Sequence, residues 1–157
     1  MNIESVINTD LINLNLATES KIVAINSLID LLYKADRISD KDLFLKEVLA
    51  RDKTESTDLG FGIAIPHGRC STVTEPSVAI GKLMTPVIWN DSSEIQEDPV
   101  YAIFLIASSP DDKGLSHMEI ISQIATLLID DDFVAFLKAN INELQLFEKI
   151  KTFLGEE

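Results

Sequence analysis

The 157-residue chain holds one cysteine, two histidines, one tryptophan and 13 basic residues against 26 acidic ones. A lone cysteine, Cys70, cannot close an internal disulfide, which fits a reducing compartment. A formal net charge of −13 repels phosphate backbones and anionic lipid, so nucleic acid and membrane surfaces are poor partners. A basic protein would be steered toward such a surface instead. No apolar run approaches the ~20 residues of a membrane helix. The longest extends from Val100 to Ala107. The segment Met1 to Asp10 has neither a basic stretch nor an apolar one, so it does not read as a secretory signal. These absences lead to the expectation of a soluble, cytoplasmic protein. With 46% hydrophobic and 25% charged residues, no linker-like stretch and no internal repeat, residues 1–157 read as one globular domain.

Apolar periodicity divides the chain into helices, then strands, then helices. After Thr18, the residues Ile22, Ile25, Ile29 and Leu32 recur at helical spacing. Ser39 with Asp42 resembles a capping box that opens a second helix, ending near Arg51. The stretches 62–65, 77–83 and 100–107 are short, apolar and bounded by Gly, Pro, Ser or Asp, and read as strands. The last is apolar throughout, as expected of a strand covered on both faces. Ser116 with Glu119 forms another capping box, opening a helix with the stripe Ile121, Ile124, Ala125 and Leu128. Asp130-Asp131-Asp132 reads as a helix junction. Helices follow near 131–139 and 142–154, with Gly155 as a stop. The order points to an α/β sandwich in which a mixed sheet is flanked by helices.

Both histidines stand at positions suited to chemistry. His67 follows a strand and Pro66, which is expected to stop sheet pairing and leave the histidine projecting from the strand's end. Gly68 then leaves room for the backbone to turn or for a ligand to approach. His117 comes directly after the Ser116 cap, and a helix start there would favour an anion, phosphate in particular. A histidine taken singly is more often a surface or satisfied core residue. Other chemistries have less support. There is no H-E-x-x-H spacing or Cys cluster for zinc, no G-x-x-x-x-G-K-[ST] phosphate loop and no G-x-S-x-G elbow. The carboxylates read as a solvated face, Cys70 as an inert small residue and Trp89 as a packing anchor.

The segment Gly60-Phe-Gly-Ile-Ala-Ile-Pro-His67-Gly68 resembles the active-site segment of a known family. That family is the enzyme IIA domains of the fructose/mannitol type in the bacterial phosphoenolpyruvate-dependent phosphotransferase system. The likeness continues upstream through Glu55-Ser56-Thr57 to Arg51-Asp52, where the family typically has Arg-Glu. Downstream it runs through Pro86-Val-Ile-Trp89 and Ile103 to Ala107. It ends in the segment His117-Met-Glu to Asp132-Phe133, and so covers essentially the whole chain. The resemblance implies a single α/β sandwich with a mixed sheet. It implies His67 as the transiently phosphorylated residue, His117 as the supporting histidine and Arg51 as the arginine that approaches the phosphoryl group. It implies HPr, the histidine phosphocarrier protein, as donor and a IIB domain of a sugar permease as acceptor, with no cofactor or metal. Asp52 in place of Glu and Asp58 in place of a frequent Gly are departures, the latter bearing on the loop before Gly60. Physics is compatible with these roles, because a neutral imidazole is nucleophilic near its reference pKa of about 6.5. The alternative is a nitrogen-type IIA regulator, which uses the same phosphohistidine but acts by binding other proteins. A third reading is an interaction domain whose histidines are incidental.

Overall fold

The structure is a computed structural model that describes residues 3–90, 99–112 and 115–155. A short helix α1 (Ile3–Val6) and a 3-10 turn (Thr9–Leu11) lead into strand β1 (Ile12–Leu16). Helices α2 (Lys21–Lys34) and α3 (Lys41–Thr54) follow. Then come β2 (Ile63–Ala64), β3 (His67–Arg69), β4 (Ser77–Val87) and β5 (Val100–Ser108). The chain closes with α4 (Leu115–Leu128), α5 (Asp131–Lys138) and α6 (Glu143–Phe153).

The strands form one mixed sheet in the order β1-β4-β5-β2, with β3 also on β5. β4 and β5 are antiparallel, while β1 runs parallel to β4 and both β2 and β3 run parallel to β5. Successive side chains of a strand point to opposite faces, and β5 follows this rule while buried along its length except at the half-buried Tyr101. Ile103, Leu105 and Ala107 enter the core shared with Ile25, Leu28, Phe44 and Val48 of α2 and α3. Ala102, Phe104 and Ile106 enter the core shared with Ile124 of α4, Phe133 of α5 and Ile150 of α6. The uninterrupted apolar run at 100–107 thus covers both faces of a central strand, as its composition implied.

The helix starts differ from the sequence reading by small shifts with local causes. Ser20, not Thr18, caps α2, its hydroxyl accepting from Val23 N–H at 3.2 Å, while Thr18 accepts only from Ser20 N–H. Ile22 lies off the apolar stripe and is 49% exposed, and the buried face is Ala24, Ile25, Leu28, Ile29 and Leu32. Asp40, one residue after Ser39, caps α3 by accepting from Leu43 N–H at 3.0 Å, and the helix continues to Thr54. Helix α4 begins at Leu115, which places Ser116 inside its first turn, and the capping expected of the Ser116 side chain lies outside what is described. Its buried stripe is Ile120, Ile124, Leu127 and Leu128, while Ala125 is exposed. One residue is about 100° of helix rotation, and that is the offset between Ile120 and Ile121. Asp130 caps α5, and Asn142 with Gln145 forms a capping box on α6. Gly155 takes φ +80 after α6, the left-handed stop its position implied.

Two strands were not anticipated. In β1, Ile12 and Leu14 enter the core shared with α4, α5 and α6, and after a register irregularity between Asn13 and Leu16, Leu16 enters the core shared with α2 and α3. The other, β3, holds only His67, Gly68 and Arg69. Gly62 adopts φ +91 where a Cβ would meet the Tyr101 ring at 2.7 Å, so only glycine fits beneath that side chain.

Phe44 is fully buried between α3 and the sheet. Phe44→Ala should lower stability by about 3–5 kcal/mol. Urea titration should show this as a lower midpoint at an unchanged slope.

Candidate functional site

Proline lacks the N–H that a ladder needs, and β2 ends at Ala64, yet pairing with β5 resumes beyond Pro66. Ile63 pairs with Ala102, Ala64 with Ile103, and beyond the proline His67 pairs with Ile106 in the same unbroken register. The Pro66 carbonyl still accepts from Ile106 N–H at 3.0 Å. His67 therefore belongs to β3, a correction to the expectation that it would project from a strand end. Alternation along β3 puts His67 and Arg69 on one face and Gly68 on the other. A Cβ at Gly68 would press on Phe44 at 3.0 Å and Val48 at 3.1 Å, so the glycine lets α3 lie close against this edge.

His67 is 9% exposed. Its Nδ1 lies 3.0 Å from the Ile65 carbonyl, which can only accept, so the ring proton sits on Nδ1. The lone pair is left on Nε2. Burial lowers the ring's pKa, the Ile65 hydrogen bond raises it, the Arg51 charge lowers it and the Asp52 charge raises it, with a net shift below the ordinary value. His67 is thus neutral at neutral pH.

His117 is the third residue of α4, and its ring centroid lies 5.1 Å from that of His67 at a tilt of 56°. Its Nδ1 is 2.8 Å from the hydroxyl of Ser108, the last residue of β5. Ser108 is itself fully buried, and its carbonyl accepts from Cys70 N–H at 2.9 Å. Fifty positions of sequence separate the histidines, and the fold makes them neighbours.

Both rings line an open cleft of about 440 Å³ at the sheet edge, together with Glu47, Ala50, Arg51 and Thr54 of α3 and Arg69 of β3. Arg51 donates from Nη1 to the Glu55 carbonyl at 2.9 Å, which holds its guanidinium at the C-terminal end of α3. The Arg69 side chain forms no hydrogen bond or ion pair among the described residues, so its guanidinium is left to the cleft that it lines. The arrangement is a neutral nucleophilic nitrogen, a second imidazole and two guanidinium groups around one small space. It suits a dianionic group arriving at Nε2 of His67.

Sequence reasoning brought forward His67, His117 and Arg51, and the structure gathers all three in this cleft. It missed Arg69 and Ser108. Arg69 could have been found from alternation, being two residues past His67, had His67 been read as part of a strand. Nothing in the sequence near Ser108 links it to His117. Cys70 is buried beside the Thr72 hydroxyl and outside the cleft lining. Trp89 is a buried anchor that also donates from Nε1 to the Thr57 hydroxyl at 3.2 Å.

The family model for the phosphoenolpyruvate-dependent sugar phosphotransferase system, EIIA 2, matches residues 5–152. A 2-O-alpha-mannosyl-D-glycerate-specific EIIABC component of Escherichia coli is 31% identical over 139 residues, covering 88% of this chain and 21% of that protein. The chain thus spans about a fifth of that relative's length. A fructose-specific EIIA component of Haloferax volcanii is 32% identical over 123 residues, covering 78% of this chain and 77% of its own. Among solved structures, the nitrogen regulatory protein IIA-Ntr from Neisseria meningitidis superposes with a TM-score of 0.82 at 24% identity, covering 94% of this chain and 98% of that one. At that identity the likeness shows the fold alone.

The depressed pKa of His67 has a stability consequence of definite sign. In the unfolded chain the ring titrates near 6.5, and in the folded chain lower. Between those values the unfolded chain binds more protons, so folding stability is lost as pH falls below about 6.5. Urea stability measured from about pH 7.5 down to about pH 5.5 should therefore drop more for the wild type than for His67→Gln. An NMR titration of the His67 ring should place its midpoint below 6.5.

Proposed function

The chain belongs to the EIIA 2 family of the phosphoenolpyruvate-dependent sugar phosphotransferase system, and from that premise we propose that it is a phosphoryl relay. It accepts a phosphoryl group on His67 from HPr and passes it to the IIB domain of a sugar permease. The observation that carries this reading is the Nδ1–H bond to the Ile65 carbonyl, which leaves Nε2 as the nucleophile in a cleft shared with His117 and Arg51. The Nε2 lone pair attacks phosphorus and forms a P–N bond. The bond from phosphorus to the donor's ring nitrogen breaks, and that nitrogen keeps the electron pair. The second transfer repeats the exchange, with His67 as the leaving group. The transition state is loose, so the protein's task is to align the groups and disperse negative charge.

Each neighbour has a physical role in this scheme. The Arg51 and Arg69 forks match equatorial phosphoryl oxygens. His117, tied at Nδ1 by Ser108 in the first turn of α4, stands where a phosphorylated His67 carries about −2 of charge. The sugar branch is supported by two relatives at 31% and 32% identity that are both sugar-specific components. Among the described residues no helix is long and apolar enough to cross a membrane. We place the relay in the cytoplasm, acting as one unit over residues 1–157.

Incubation with phosphoenolpyruvate, enzyme I and HPr should add one acid-labile phosphoryl group by intact mass, and His67→Ala should abolish it. Undiminished labelling of His67→Ala would overturn the assignment. Arg51→Lys loses one charge-assisted hydrogen bond worth about 1.5–3 kcal/mol, so transfer should slow by roughly ten- to a hundredfold. Arg69→Gln should slow it in the same direction. His117→Ala should still accept phosphate from HPr but release it to the IIB domain more slowly, as single-turnover kinetics would read.

A further inference from the structure

We infer that Lys21, Asp52, Thr57 and Trp89 form a closed polar network that acts as the positioning device for the His67 ring. The inference rests on His67 being the phosphoryl acceptor. The network draws one residue from each of four places: the start of α2, the end of α3, the loop after α3 and the segment following β4. The Asp52 side chain is 10% exposed and pairs with the Lys21 ammonium. Its Oδ1 accepts from the Thr57 hydroxyl at 2.7 Å and from the Thr57 N–H at 3.3 Å. The same hydroxyl accepts from Trp89 Nε1 at 3.2 Å. Lys21 closes the ring of contacts by donating to the Trp89 carbonyl at 3.1 Å, with its ammonium 4.6 Å from the indole centroid.

The network reaches His67 through Ile65. The Thr57 carbonyl accepts from Ile65 N–H at 2.9 Å, and the Ile65 carbonyl accepts from His67 Nδ1–H at 3.0 Å. Pro66 follows Ile65 and restricts it to an extended conformation, so anchoring its N–H also aims its carbonyl. Two hydrogen bonds therefore separate the clamped Thr57 from the proton that decides which nitrogen of His67 is nucleophilic. A mere stability device would not need this arrangement, since buried ion pairs are often replaceable by apolar side chains without loss. Burial alone would push the Asp52 carboxyl up, but Lys21 and Thr57 hold it below its ordinary value, so the carboxylate stays charged and keeps accepting from Thr57. Asp52 also lies directly after Arg51, so the residue that grips the loop is covalently joined to one that lines the cleft.

The test is long-range proton–nitrogen NMR of the imidazole rings in 15N-labelled protein, which reads the tautomer without any phosphoryl donor. The wild type should show the proton on Nδ1 of His67. Thr57→Val, which deletes the shared hydroxyl, should populate the Nε2–H form and slow phosphoryl transfer by about tenfold or more. Thr57→Ser should restore the wild-type spectrum. Trp89→Phe, which removes only the indole donor from the ring of contacts, should shift the tautomer ratio in the same direction. An Nε2–H tautomer in the wild type would overturn the inference. So would folded Thr57→Val and Trp89→Phe variants that keep pure Nδ1–H and the wild-type rate. Should Thr57→Val fail to fold, the wild-type and Trp89→Phe spectra decide. A wild type that shows the expected tautomers but takes no label from phosphorylated HPr would sink the relay and leave the positioning network standing. A labelled wild type whose variants are spectrally unchanged would do the reverse.

Discussion

The three-residue strand β3 enters the sheet through β5, and that short parallel ladder governs the whole cleft. It sets His67 opposite Ile106 and Arg69 opposite Ser108. Ser108 in turn holds Nδ1 of His117. A single stretch of β5 thus aligns His67, Arg69 and, through Ser108, the His117 imidazole. β5 is buried on both faces, with Phe104 and Leu105 fully enclosed in opposite cores. Close-packed interiors have low compressibility, so the core on both faces of β5 fixes the frame on which the rings stand 5.1 Å apart.

Electrostatics at the cleft run against the character of the molecule. The chain carries −13 overall, yet Arg51 and Arg69 both face the space where an anion would sit, with Glu47 as the acidic exception. Burial keeps His67 neutral, and the Arg51 charge reinforces this. A neutral ring with its proton committed to Ile65 is a better nucleophile than an imidazolium, which has no lone pair to give. The net charge of −13 is a long-range property, distinct from the local field that the two guanidinium groups set at the cleft.

Much of the architecture was legible in the residues. The apolar run at 100–107 announced a doubly covered strand, and the aspartate triplet announced the junction before α5. Helix starts were harder, because Ser, Thr and Asp stand side by side near them. Whether Thr18 or Ser20, Ser39 or Asp40, supplies the cap depends on which side chain meets a free N–H two or three residues on. Loop closure decides that, not composition. The stripe on α4 held at Ile124 and Leu128 but was rotated at its edge, since adjacent isoleucines at 120 and 121 leave the buried face ambiguous by one residue.

The candidate histidines were visible because each stands beside structural punctuation, Pro66 and Gly68 for one and a helix start for the other. Their adjacency was not, because 50 residues intervene and only the register of β3 on β5 and the lie of α4 bring them together. The sequence by itself determined helices α2 to α6, strands β2, β4 and β5, the two-sided cover of β5 and the residue types available for phosphoryl chemistry, since these follow from periodicity and side-chain identity. Tertiary structure alone decided that pairing resumes beyond Pro66, that Ser108 orients His117 and that Ile65 sets the His67 tautomer. The physical reason is that hydrogen bonds across a sheet edge join groups by register, and register depends on how the whole sheet packs.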